Sequence, residues 1–195
     1  MFVLLLLCSA LQTGIESTGR AADPEKPATY DELLSRDDEA WRELFQNQEF
    51  KQLDDIADAF RSERTKYPNG RGKLWRLAWC PFPSRPGEMS DEQYTRAFEL
   101  IEAWKKARPD SVNALLLEAH TWQQYAFQAR GRRFADQTPQ GQLKLFAERC
   151  EKASAVLDRI KALNVPLDSV YRRLRVEVAK GLGEKPDVNL VFEDL

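Results

Sequence analysis

The stretch SDEQYTRAFELIEAWKKARPDSV, residues 90–112, spells out the start, body and end of one helix and the start of another. Ser90 stands where an N-cap belongs, with Gln93 three residues on, the spacing at which a hydroxyl and a carboxamide each satisfy the other's backbone amide. Tyr94, Ala97, Phe98, Ile101 and Trp104 then recur at steps of three and four, one stripe of a 3.6-residue helix. Pro109 cannot continue that helix, and Asp110-Ser111 offers the next cap. The same wording returns downstream. Pro166-Leu167-Asp168-Ser169-Val170 repeats Pro109-Asp110-Ser111-Val112 with Pro166 57 residues beyond Pro109, and Ala153, Leu157 and Ile160 match Ala97, Ile101 and Trp104 at offsets of 56.

Two helix pairs on one plan imply stacking, because a single pair cannot cover its own apolar stripe. The steps Ala97, Ile101, Pro109 fit the second helix of a tetratricopeptide unit, with a period longer than the usual ~34 residues. The expected fold class is therefore all-α, a tetratricopeptide-like (TPR-like) helical-repeat array, an α-α superhelix of about six to seven helices, whose inner helices line a curved surface. Working outward, helices are expected over 31–45, 49–67, 73–80, 112–130 and from 138–139 onward, with the last capped by Asp168 and running to about Lys180. Pro68-Asn69-Gly70 and Gly131 read as stops, and 132–137 as an inserted loop. Trp75 and Trp79, four apart, are expected to share a face as a lid over the first helix pair. Carboxylate pairs such as Asp54-Asp55 are expected to face solvent in a charged helix.

Composition bounds the rest. The chain has 195 residues, 43% of them apolar, with five Trp and ten Phe, enough for one folded domain. Few Gly, Pro and β-branched residues leave almost no room for strand. The formal charge of −2 hides an asymmetry: thirteen acids against seven bases over 22–70, eleven bases against five acids over 128–175. The simplest account is two solvated surfaces or two segments facing each other. No nucleic-acid-binding motif accompanies the basic stretch, so no nucleic-acid partner is expected.

Residues 2–11 form an apolar run of signal-peptide length, too short to span a bilayer, and Gly19 and Ala21 suit the −3 and −1 positions of a cleavage site. The expected organisation is a signal peptide at 1–21, cleaved after Ala21, a flexible leader at 22–29, a TPR-like helical domain at 30–183 and a C-terminal tail at 184–195. Export to the periplasm or beyond follows, with no integral membrane span in the mature chain. Lipidation at Cys8 is disfavoured by Leu7. In an oxidising compartment Cys80 and Cys150 are available to pair, but Cys150 lies on an apolar stripe, where a buried inert thiol is the simpler expectation.

The run Trp104, Ala107-Arg108-Pro109, Ser111, Ala114, Tyr125-Ala126, Ala129-Arg130-Gly131, Ala135, Leu145-Phe146 and Ala153 resembles a bacterial family of TPR-like helical domains catalogued only as a domain of unknown function. The resemblance spans about 48–182 and implies a fold; it supplies no catalytic residue.

Nucleophilic catalysis needs a base, and His120 is the one histidine of the chain, two residues from Glu118 and so on a different helix face. Its expected role is packing or surface. No phosphate loop, paired-cysteine or zinc-helix motif is present, so no catalytic residue, metal or cofactor is expected. The expected function is a non-enzymatic, exported protein- or peptide-binding scaffold. Arg130, Arg132 and Arg133 are the candidate rim contacts, their alternative being to cap a helix end, and Trp122 and Tyr125 are candidate aromatic contacts. The alternatives are a structural envelope protein that self-associates through its opposite charges, or an accessory subunit of an enzyme with an unrecognised site.

Overall fold

In a computed structural model the described residues are 28–79, 82, 89–131 and 137–185. The expected signal peptide (1–21), all of the leader before Ala28, Cys80, residues 132–136 with Arg132 and Arg133, and the tail beyond Lys185 lie outside them. Seven helices are present among the described residues: α1 (Tyr30–Gln46), α2 (Phe50–Glu63), α3 (Lys73–Leu77), α4 (Asp91–Ala107), α5 (Val112–Arg130), α6 (Gln140–Ala162) and α7 (Ser169–Gly181). The one extended pairing among them is an isolated bridge between Lys66 and Gly72. The protein is all-α, and the arrangement is compatible with a TPR-like stack.

The repeat signals become caps and core. Ser90 accepts from the Gln93 amide while Gln93 accepts from the Ser90 amide, the expected capping box, and Thr29 with Glu32 forms a second one on α1. Ser111 caps α5 and Asp168 caps α7, each through the amide three residues on, worth about 1 kcal/mol apiece. Ala97, Ile101 and Trp104 of α4 and their counterparts Ala153, Leu157 and Ile160 of α6 are all buried. Gly131, at φ +69, ends α5 where a side chain would be strained.

Two expected helix limits change. Helix α2 stops at Glu63 rather than at Tyr67, because Arg64 turns left-handed (φ 52) and the chain folds into a tight turn joined by Tyr67 N–H to Arg71 C=O (2.8 Å) and Lys73 N–H to Thr65 C=O (3.0 Å). Tyr67 instead buries its ring against the first pair. Helix α6 begins at Gln140, with Pro139 rather than Thr138 in the cap position.

Helix α5 is the centre. Its Leu115, Leu116, Ala119 and Ala126 join α6 and α7 in one apolar cluster, while Ala114 and Leu117 join α1, α2 and α4 in another. Helix α3 lies where these meet. Leu77 faces the cluster of α1, α2 and α4, but Trp75 and Trp79 turn away from the first helix pair towards α5, so the expected lid over that pair is not what forms. The physical reason is division of labour around one helical turn: the leucines fill the aliphatic side, and the indoles meet the His120 ring.

Several acids of the first segment find their bases close by in the chain. Asp37 and Asp38 of α1 are paired by Lys73 and Arg76 of α3. An ion pair that does join the two segments among the described residues, Arg61 with Asp168 at 2.9 Å, has its signs reversed.

Candidate functional site

The expected aromatic contacts converge on one strip. Trp122 and Tyr125, on successive turns of α5, are each half-buried, with ring centroids 6.2 Å apart. From α4, Phe98 packs at a tilt on Trp122 with centroids 4.2 Å apart, and Tyr94 stacks on Tyr125 at 4.3 Å. From α6, the Lys152 ammonium sits 4.4 Å from the Trp122 ring and the Arg149 guanidinium lies 3.2 Å from the Tyr125 ring. Arg149 is buried and also donates to the Tyr125 carbonyl (2.6 Å) and to Gln128 Oε1 (3.0 Å), so it ties α6 to α5. Lys152 is exposed, which sets a solvent-accessible ammonium against a half-buried indole. Arg130 closes the strip at the end of α5, half-buried, with its guanidinium 5.8 Å from the Phe146 ring. The spacing of aromatics on α5 made Trp122 and Tyr125 legible; Phe98, Arg149 and Lys152 were missed because their proximity is tertiary.

On another side of α5 lies His120, fully buried. Trp75, Trp79 and Phe82 surround its ring at centroid distances of 5.3, 4.9 and 5.4 Å. Its Nδ1 is 2.7 Å from the Ala78 carbonyl and its Nε2 3.1 Å from Gln124 Nε2. A carbonyl only accepts and an amide nitrogen only donates, so the ring is a neutral Nδ1–H tautomer. Burial, offset in part by the Ala78 hydrogen bond, drops its pKa to about 4. The chain continues outward: Gln124 donates to Gln123, Gln123 to Glu177 Oε2 (3.0 Å), and Arg173 to Glu177 Oε1 (2.9 Å). Arg173 then covers the Trp75 ring at 4.1 Å, closing a circuit through α5, α7 and α3. Glu118, on a different face as its spacing requires, binds Lys105 of α4 (2.8 Å) and lies 3.8 Å from Arg159 of α6.

A third feature is a cleft of about 400 Å³ at the turns before α5 and α7, lined among others by Asp58, Arg61, Arg108, Asp110, Val165 and Pro166. Its wall corrects an expectation. Asp55 is exposed, as the sequence suggested, but Asp54 is buried. It accepts from Ser111 Oγ (2.5 Å), Asn113 Nδ2 (3.0 Å), Arg108 Nε (3.2 Å) and Trp104 Nε1 (3.4 Å). The cause is helical phase. Asp54 shares the face of Ala57, Asp58 and Arg61, which α2 turns towards the α4–α5 junction. Arg61, donating to Asp168 and Asn113, extends the tie to the α7 cap.

Among the described residues no group of three His, Cys, Asp or Glu is placed to hold a metal ion, and no helix is long and apolar enough to cross a membrane. Cys150 is a buried free thiol, its pKa pushed by burial to about 11. A family model described as a domain of unknown function, DUF4034, matches residues 38–175. No curated protein and no solved structure matches the chain.

Proposed function

Because the chain belongs to the DUF4034 family of domains of unknown function, a kinship that assigns no chemistry, we propose its role from its surface and leader: an exported, non-enzymatic scaffold that holds a protein or peptide partner. The observation that carries this reading is the strip on α5. An indole and a phenol ring left half-open between α4 and α6, beside an exposed ammonium, is the residue chemistry that dominates protein interfaces, where Trp, Tyr and cations are enriched. Half-exposed aromatics cost solvation in the free protein and regain it when a partner covers them. Arg130, with Arg132 and Arg133 just beyond it in sequence, gives the strip a basic end suited to carboxylates. Export rests on the apolar run at 2–11.

The test is affinity capture from envelope extract with the processed chain, in parallel with Trp122→Ala and with Arg130, Arg132 and Arg133 all changed to Glu. A specific interactor retained by the parent and lost by both variants, at unchanged circular dichroism, supports the reading. An interactor set that persists unchanged rejects the strip as the docking surface.

A further inference from the structure

Two charged faces of the molecule match each other in sign and spacing. On α1, Glu32, Glu39 and Glu43 recur at steps of seven and four, one stripe of a helix, and all three are exposed. Glu32 gives one carboxylate oxygen to the Thr29 amide and keeps the other. Arg36, the cation on that stripe, leans on its neighbour Asp37 at 3.8 Å. Ser35 and Ala40 flank the acids, exposed and small, so no bulky side chain there holds another surface away.

The opposite sign borders the aromatic strip. Helix α6 turns cations to α5: Arg149 to Tyr125, Lys152 to Trp122 and Arg159 to Glu118. Acids of α6 are engaged elsewhere, Glu148 with Lys144 at 3.8 Å and Asp158 with Arg175 of α7 at 3.1 Å. Lys105 already holds Glu118 at 2.8 Å, so Arg159, at 3.8 Å and with 60% of its side chain exposed, keeps most of its charge for another partner. Lys152 and Arg159 are seven residues apart, two turns or about 10.5 Å along the helix, and Glu32 and Glu39 stand at the same interval. The two faces belong to different halves of the core, α1 to the cluster with α2 and α4, α6 to the cluster with α5 and α7.

We propose that the strip docks the outer face of α1 from a second copy of this chain, laid antiparallel to α6 over Trp122 and Tyr125, with Glu32 reaching Arg159 and Glu39 reaching Lys152. The antiparallel sense carries Glu43 on towards the Arg149 end. The parallel sense would carry it past Arg159 to the C-terminus of α6, where the helix dipole repels an acid. The inference rests on the scaffold reading for the strip and names its occupant. Because the two faces are different surfaces, the contact is head-to-tail, and each copy offers one face to each neighbour. Exposed ion pairs are individually weak and screened by salt, so the association is a weak one that salt dissolves.

The test is sedimentation velocity of the full processed chain at high concentration, in about 20 mM and about 500 mM salt, between which the screening length falls from roughly 20 Å to about 4 Å. A weight-average mass at least about twice the monomer's is expected at low salt, and a monomer at high salt. Two neutralised variants, Glu39→Gln with Glu43→Gln and Lys152→Gln with Arg159→Gln, are each expected to be monomeric alone. Their equimolar mixture is expected to form a 1:1 pair that grows no further, since each retains the face the other lacks. A parent that is monomeric at low salt overturns the proposal. So does either variant assembling as far as the parent, or a mixture that stays monomeric while both keep the parent's circular dichroism. Should a variant lose its fold, Lys152→Gln alone, at an exposed position, takes its place and is expected to weaken association at least about five-fold; undiminished association refutes the docking. If the parent is monomeric yet Trp122→Ala loses a captured interactor, the strip holds a foreign partner, and the scaffold reading stands while this inference falls. If copies associate as expected and no envelope interactor is captured, self-association stands and the foreign partner falls.

Discussion

Acidification is expected to weaken this protein by a separable share that His120 supplies. His120 is fully buried with a pKa of about 4, against 6.5 when unperturbed. Between those values the unfolded chain binds a proton that the native chain refuses, so stability is whole above about pH 6.5, falls by about 1.4 kcal/mol per pH unit below it, and levels off near pH 4. The full loss is about 3 kcal/mol, which for a domain of this size lowers the melting temperature by roughly 6–12 °C. The refusal has a structural source. Nε2 faces the donor nitrogen of Gln124, the Arg173 charge opposes protonation, and Glu177 is already occupied by Gln123 and Arg173. Only the part that His120 supplies is at issue, so the measurement is a difference between two proteins. Urea unfolding at pH 7.0, 6.0, 5.0 and 4.5 is followed for the parent and for His120→Gln, whose amide can donate to Ala78 and accept from Gln124. The variant is expected to be the less stable at pH 7 and to close most of the gap by pH 4.5. Parallel pH profiles for the two proteins would refute the reasoning.

Other expectations follow from the same contacts. Asp54→Ala strips a buried acceptor from four donors and is expected to cost about 2–4 kcal/mol by urea titration, with Asp54→Asn recovering only part of it because the amide keeps one acceptor oxygen and turns a donor NH2 towards two donors. A Cβ at Gly181 would meet Cys150 Sγ at 2.7 Å and Phe146 Cζ at 3.2 Å, so Gly181→Ala is expected to destabilise by about 1–3 kcal/mol, with Cys150→Ala in the same chain recovering most of it in a double-mutant cycle. The Cys150 thiol, buried and raised to about 11, is expected to be labelled by iodoacetamide at pH 8 at least about a hundred-fold more slowly than in urea, as peptide mapping will show.

Local rules carried the fold a long way. Ser90, Ser111 and Asp168 announce their helices because capping is a matter of three or four consecutive residues, and Ala97 with Ala153 announces the stack because burial of one stripe has a fixed period. What failed was relative phase and tertiary reach. Asp54 differs from Asp55 by 100° of helix rotation, which no charge count registers, yet one is buried among four donors and the other is exposed. Trp75 and Trp79 do share a face, as four-residue spacing demands, but the spacing says nothing of which neighbour that face meets; the answer is a histidine some forty residues further on. The aromatic strip was half legible for the same reason: Trp122 and Tyr125 are on one helix, whereas the cations above them come from another.

The buried polar circuit explains why the central helix is not simply leucine-rich. Helix α3 is already held in part by apolar burial, through Leu77 inside one cluster and Leu74 against both, and aliphatic residues at 120, 123 and 124 would add about 25 cal/mol for each further apolar Å² covered. His120, Gln123 and Gln124 add to that burial, and to the ion pairs of Lys73 and Arg76 with α1, a directional chain of hydrogen bonds ending in a surface ion pair, Arg173 with Glu177. Such a chain holds α3 in one register, since only a carbonyl placed where that of Ala78 sits can take the Nδ1–H. It also links the hold to ionic surroundings through Glu177, so Glu177→Gln is expected to speed exchange of the Ala78 and Trp79 amides while leaving those of α6 unchanged. Identical acceleration in α6 would mean that the circuit stabilises the whole domain and is no specific fastening of α3.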